Sequence, residues 1–152
     1  MHRNSNPKNS VLVYFSTRNS DCYDASELTA VPRAASSPAV LRTALTELFE
    51  GPTRAERRRG LGSIFGPHSI DFLRRVAIDN GTATVDVRDL SLIPQVSTSC
   101  AGSHFVGSLT QTVFQFESIA QVRYLSRGSC RRFWRGLEST CGHASPISRD
   151  EW

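Results

Sequence analysis

Four cysteines and four histidines are the side chains of this 152-residue sequence best suited to chemistry, and one pair of them is suggestively spaced. Cys100 and His104 lie four residues apart around the expected start of a helix. A helix N-terminus lowers a thiol pKa, and a nearby imidazole could share its proton, so the pair suggests a nucleophilic hydrolase or transferase. Nothing else in the chain supports that reading. It has no Gly-x-Ser-x-Gly elbow, His-Glu-x-x-His, Walker loop or Gly-x-Gly-x-x-Gly. Gly60-Leu61-Gly62 followed by Gly66 lacks the lysine and the preceding strand of a phosphate cradle. Asp86 and Asp89 sit on different faces or past a strand end, so they form no carboxylate pair. No catalytic residue is assigned, and the chain is not expected to be an enzyme.

Cys22, Cys100, Cys130 and Cys141 are separated by 78, 30 and 11 residues, and no Cys-x-x-Cys or His-x-x-x-His occurs. A structural zinc site draws two ligands from one tight turn. His2, His68, His104 and His143 are scattered, so neither a metal nor another cofactor is expected. An even number of dispersed cysteines fits two disulfides in an oxidising compartment, with three possible connectivities.

Charge is the other chemical resource. The net charge is +4, and seventeen of the eighteen basic residues are arginine, Lys8 being the exception. Residues 54–75 carry a net +4, and Arg123, Arg127, Arg131, Arg132 and Arg135 give residues 123–135 a net +5 with no acid. Guanidinium groups are permanently charged forks suited to phosphate and carboxylate. Such runs serve as solvated surface or bind an anionic polymer, either nucleic acid or an envelope polyanion. Tyr124, Phe133 and Trp134 interleave with the second run, as base-stacking residues do. The two at 133 and 134 fall where a short helix needs an apolar face, so nucleic acid is not the expected partner.

The elements that position these residues follow from periodicity. The longest apolar run, Val11 to Phe15, reads as a central strand and falls far short of the ~20 residues that span a bilayer. Thr17 to Ser26 is a polar loop, and residues 28–33 form a weak edge strand confined by Pro32. Residues 37–51 are the clearest helix, with Ser37 as cap, Pro38 at the first position, and Gly51-Pro52 as the stop. Thr53 and Glu56 have capping-box spacing, which starts a short helix that Gly60 ends. Strands over 69–78 and 82–88 join through Asn80-Gly81, a pair that readily supplies the positive φ of a tight hairpin. A helix over 103–116, a strand over 119–125 and a last short helix over 130–138 complete the chain. Two amphipathic helices need a sheet to cover. The fold class is therefore α+β, with two main helices on one face of a mixed or antiparallel sheet of three to five strands, plus a short C-terminal helix.

The same stretches, taken in order, resemble the GerMN domain of bacterial sporulation and spore-germination proteins. The resemblance runs through Val11 to Phe15, Leu28 to Arg33, and Ala44 to Thr53 with its Leu-x-x-Gly-Pro-Thr ending. It continues through Glu56, Gly60 to Ser63, Gly81 to Val87, Leu109 to Val113, Phe116, Ile119 to Val122, and Gly128-Ser129 before Phe133-Trp134. It spans roughly residues 11–137. Ile64-Phe65-Gly66-Pro67 departs from the family's Ile-Pro-like step. The resemblance implies an envelope-associated module, often carried by lipoproteins, with no established enzymatic activity. It is similar to ring-building modules that pack on one another.

The combined expectation is a non-enzymatic envelope interaction domain over residues 10–141. A disordered segment (1–9) precedes it and a flexible tail (142–152) follows. Its partners are envelope proteins or a second copy of itself, met through the sheet edge and the arginine surface of residues 123–135. The first ten residues are polar, with no apolar signal core. The sequence thus reads either as cytoplasmic or as an extracytoplasmic protein whose export or lipid-anchor segment is missing; the cysteines favour the second.

Overall fold

The computed structural model describes residues 10–17, 28–35 and 39–152, the side chains of residues 143 and 144 excepted. Its elements run β1 (Ser10–Thr17), β2 (Thr29–Ala34), α1 (Val40–Glu50), α2 (Arg54–Arg58) and β3 (Leu61–Gly62), followed by the hairpin β4 (Leu73–Asp79) and β5 (Thr82–Val87). The chain continues with α3 (Ser99–Phe114), β6 (Gln121–Ser126), α4 (Cys130–Gly136), α5 (Cys141–Ala144) and β7 (Ile147–Ser148). The fold is α+β, as expected, but its strands divide between two sheets, ordered β2-β1-β3 and β4-β5-β6-β7.

In the first sheet β1 is central, antiparallel to both neighbours. Its partner β3 reaches only Ser16 and Thr17, which leaves the backbone of Leu12 without a strand on the side away from β2. The Gln115 side chain, just past α3, fills that place. Its Oε1 accepts from Leu12 N at 2.8 Å and its Nε2 donates to Leu12 O at 2.7 Å, so one amide acts as a strand partner. In the second sheet β5 and β6 are parallel, which requires a long crossover, and α3 supplies it.

Local sequence chemistry explains the element ends. The capping box is present, with Glu56 N donating to Thr53 Oγ1 and Thr53 N to Glu56 Oε1. Gly51 ends α1 at φ +80°, where a Cβ would sit 2.5 Å from the Phe65 carbonyl oxygen. Helix end and loop thus meet backbone to backbone, in a conformation and a space that suit only glycine. The hairpin turns through Asn80 at φ 50° and Gly81 at φ 80°, as that pair predicts. The cap of α1 is Ala39; Ser37 and Pro38 lie outside the described residues, as does Cys22.

Several boundaries moved. The first strand of the hairpin begins at Leu73, because Pro67–Ser69 forms a 3-10 turn whose Ser69 hydroxyl donates to Phe49 O. The crossover helix begins four residues earlier than expected, at Ser99 with Thr98 as its cap, since its first turn is polar and carries no apolar periodicity. Residues 142–152, expected as a flexible tail, are built into the fold. There β7 pairs with β6, and the Arg149 guanidinium donates to Phe116 O and Ile119 O. Backbone pairing, those carbonyls and the packing of Ile147 on the core hold a segment that has no apolar periodicity.

One apolar core joins both sheets and both long helices. A run of aromatic rings passes through it, from Phe49 of α1 to Phe65 and Phe72, to Phe105 of α3, then to Phe133 of α4, with centroid spacings of 5.0–6.1 Å. Phe133 stacks on Tyr124 of β6 at 5.0 Å, and the buried Tyr124 hydroxyl meets Thr110 Oγ1 at 2.8 Å.

Candidate interaction surface

The described cysteines are structural. Cys130 and Cys141, at the starts of α4 and α5, form a disulfide with Cα atoms 5.5 Å apart, fixing the C-terminal segment against the short helix. Cys100 is also disulfide-bonded, and no described cysteine is free. This corrects the Cys100–His104 nucleophile: a sulfur held in a disulfide carries no thiolate. His104 itself is buried on the inner face of α3, where desolvation lowers its pKa to about 4 and keeps the ring neutral. Among the described residues no three His, Cys, Asp or Glu side chains gather as a metal site would require.

The arginines of residues 123–135 are all exposed. Arg123 lies in β6, in register with Thr84 of β5. Arg127 lies in the β6–α4 turn at φ 52°, its amide donating to Val87 O at 2.9 Å. Arg132 and Arg135 project from α4 into a cleft of about 550 Å³ bounded by the loop Asp89–Ser97. Arg131 lies exposed on α4.

The periodicity did not foresee that two distant arginines join Arg127. Arg74, Arg88 and Arg127 line a second cleft of about 430 Å³ with Asp89 and the exposed Leu92. A β-bulge between Leu73 and Arg75 sets two residues of β4 against Asp86 of β5. Asp86 then accepts from Arg74 Nη1 at 3.0 Å and from Gly128 N at 3.0 Å. The structure buries Asp86 at 5% exposure, because the β6–α4 turn folds over it. Arg88 is fixed by donating from Nε to Asp71 O at 2.6 Å, and Ser126 Oγ donates to Arg88 O at 3.0 Å.

Asp89 is the one acid lining these two clefts. Its side chain accepts from Ser91 N at 2.8 Å, and that bond, helped by Arg127 and Arg132, holds its pKa below the usual carboxylate range. With Arg74 paired to Asp86, the one carboxylate of Asp89 faces Arg88, Arg127, Arg132 and Arg135 and leaves most of their positive charge unmatched. The aromatics of this segment are not available beside it. Tyr124 and Phe133 are fully buried and Trp134 is 5% exposed, so no ring faces solvent to stack on a base. The other basic run behaves differently: Arg54, Arg57 and Arg58 line a cleft of about 520 Å³ beside β3.

A two-sheet α+β module with bridged cysteines and an exposed basic surface is the class that this geometry defines. The family model for sporulation and spore germination, Germane, matches residues 12–129, and the chain belongs to that family. The fold is similar to that of the first GerMN domain of the sporulation protein GerM from Bacillus subtilis, with TM-score 0.66 and 20% identity over 93% of this chain and 98% of that one. It is similar also to the tandem GerMN domains of the same protein, with TM-score 0.56 and 20% identity over 92% of this chain. The chain spans 44% of that tandem structure. A structure assigned as a lipoprotein from Clostridium perfringens is similar at TM-score 0.51 and 15% identity, over 93% of this chain and 88% of that one. Comparison with curated proteins finds no match.

Proposed function

We propose that the chain is a non-enzymatic interaction domain of the bacterial cell envelope that docks an acidic protein surface onto the two clefts flanking Asp89. One observation carries this reading: Arg74, Arg88, Arg127, Arg132 and Arg135, drawn from three separate parts of the sequence, line adjoining clefts whose one lining carboxylate is Asp89, the buried Asp86 pairing with Arg74 alone. The disulfides support an extracytoplasmic setting, because such bonds persist in oxidising compartments. Family membership supports a role in assembly, and a Cys100 consumed in a bridge supports the absence of catalysis.

The test is capture from an envelope extract by the immobilised domain, compared with its Arg127→Glu/Arg132→Glu variant. The variant is expected to keep its melting temperature and to lose the proteins that the wild type retains. Equal capture by both would overturn the assignment of this surface.

A second reading, an arginine-rich binder of an anionic polymer, draws on the same clefts. It predicts that binding to labelled single-stranded DNA or polyphosphate falls steeply from low to moderate salt. The first reading expects no retained binding of either probe at moderate salt, since no aromatic ring is exposed there to stack.

A further inference from the structure

The two sheets have four outer strands, and three of them are closed to further pairing. Strands β3 and β7 are each two residues long. On β2, Pro32 lies opposite Leu12, whose N–H and C=O both turn away from β2 to Gln115. Pro32 therefore faces the free edge, where it has no N–H to offer, and its carbonyl already accepts from Arg33 Nη1 at 3.3 Å. Among the described residues the outer strand β4 has no such protection. It is seven residues long, lacks proline and lysine, and exposes Arg75, Ala77, Ile78 and Asp79. Ile78 is 52% exposed, the highest value for any large apolar side chain among the described residues. Bare edges of this kind invite another strand.

The occupant follows from the order of residues along β4. The two-residue turn at Asn80-Gly81 makes Asp79 and Thr82 the closing hydrogen-bonded pair. Alternation then turns the backbone groups of Asp79, Ala77 and Arg75 toward β5 and those of Ile78 and Val76 outward. Laid antiparallel on itself with Ala77 opposite Ala77, the strand sets Val76 against Ile78 of the second copy, twice, with outward N–H and C=O groups matched. The same register sets Arg75 against Asp79, also twice, at non-hydrogen-bonded positions where side chains stand closest. Neither charge is consumed within the chain among the described residues, since Asp86 takes Arg74 and not Arg75. Both the charge pattern and the backbone pattern are self-complementary in one register.

We propose that the 75–79 edge of β4 pairs antiparallel with the same edge of a second copy, joining two four-stranded sheets across a two-fold axis. A five-residue pairing buries far less than the ~1,200 Å² of a standard interface, so the dimer is weak, with a dissociation constant on the order of 0.1 mM. The surface is distinct from the clefts around Asp89, and its failure would leave the docking proposal standing.

Sedimentation velocity from 10 µM to about 1 mM reads the association directly. Wild type is expected to move from monomer toward dimer across that range. Arg75→Glu alone and Asp79→Arg alone place like charges opposite each other and are expected to stay monomeric. Mixed in equal amounts the two variants regain both opposite-charge pairs, so a mixed dimer is expected where neither forms its own. Ile78→Pro, which removes an outward N–H without touching the β5 ladder, is expected to be monomeric while keeping the wild-type circular dichroism spectrum. A wild type that stays monomeric throughout, single variants that dimerise as it does, or a mixture that remains monomeric would each overturn the proposal.

Discussion

Arginine has opposite fates at the two ends of the molecule. At the three-stranded end, Arg33 of β2 is mostly buried; its Nη1 and Nη2 donate to Glu56 at 2.6 and 2.7 Å. Its Nε lies 3.3 Å from Glu47, and its guanidinium sits 5.6 Å over the Phe15 ring. The cation clamps β2 to α1 and α2 and has nothing left for a partner. At the four-stranded end, Arg74 pairs with Asp86, while Arg88, Arg127, Arg132 and Arg135 share the one lining carboxylate of Asp89 and stay on the surface. The lesson is that the charge count of a segment does not reveal its use. The acids packed around each arginine decide it.

The largest expected effect breaks the clamp. Glu56→Gln should cost on the order of 3–5 kcal/mol in urea unfolding, because it strands a buried guanidinium and weakens the capping box. Replacing both partners, Arg33→Met with Glu56→Leu, should recover most of that loss. A double variant as unstable as the single would show that the cost lies in packing.

Removing the C-terminal staple should come next. Cys130→Ser with Cys141→Ser opens a loop closed across 11 residues and should cost about 3 kcal/mol by denaturant midpoint. Gly51→Ala should cost somewhat less, roughly 1–3 kcal/mol, from its positive φ and the nearby Phe65 carbonyl.

Acid sharpens the comparison through two groups whose folded pKa values are depressed. His104 titrates near 4 when folded and at the ordinary 6.5 when unfolded, so the unfolded chain binds the extra proton between those values. Stability should be fully present above pH 6.5 and fall by up to ~1.4 kcal/mol per pH unit as pH drops toward 4. Glu56 is held low by its bond to Arg33, so its contribution is present above the usual carboxylate range and disappears below it. Unfolding midpoints between pH 7 and 3 should therefore drop in two stages, and His104→Leu should flatten the first.

The smallest effect on stability belongs to Arg127→Glu/Arg132→Glu, within about 0.5 kcal/mol of wild type, since both side chains are exposed.

What was legible in the sequence was local. Gly51-Pro52, the Thr53–Glu56 box and Asn80-Gly81 act through their own or adjacent backbone groups, so spacing alone placed them. The division into two sheets depends on β3 pairing with Ser16 and Thr17 from 46 residues away or less, and no local signal marks so short a strand. The segment 147–151 carried even less, because its anchors are backbone groups of β6 and carbonyls near Ile119. The arginine surface was half visible. Arg127, Arg132 and Arg135 stood out as a run, whereas Arg74 and Arg88 join them only through the β4–β5 pairing and its bulge.

Arginine footprinting with phenylglyoxal tests the contrast most directly. Modification rates at each arginine would be read by mass spectrometry on the intact domain, with and without envelope extract. Arg33 should resist modification in both conditions. Arg127, Arg132 and Arg135 should react readily alone and become protected when the extract is present. Arg33 reacting as fast as Arg127, or a basic cluster equally reactive with and without the extract, would contradict the distinction between a structural and a docking arginine.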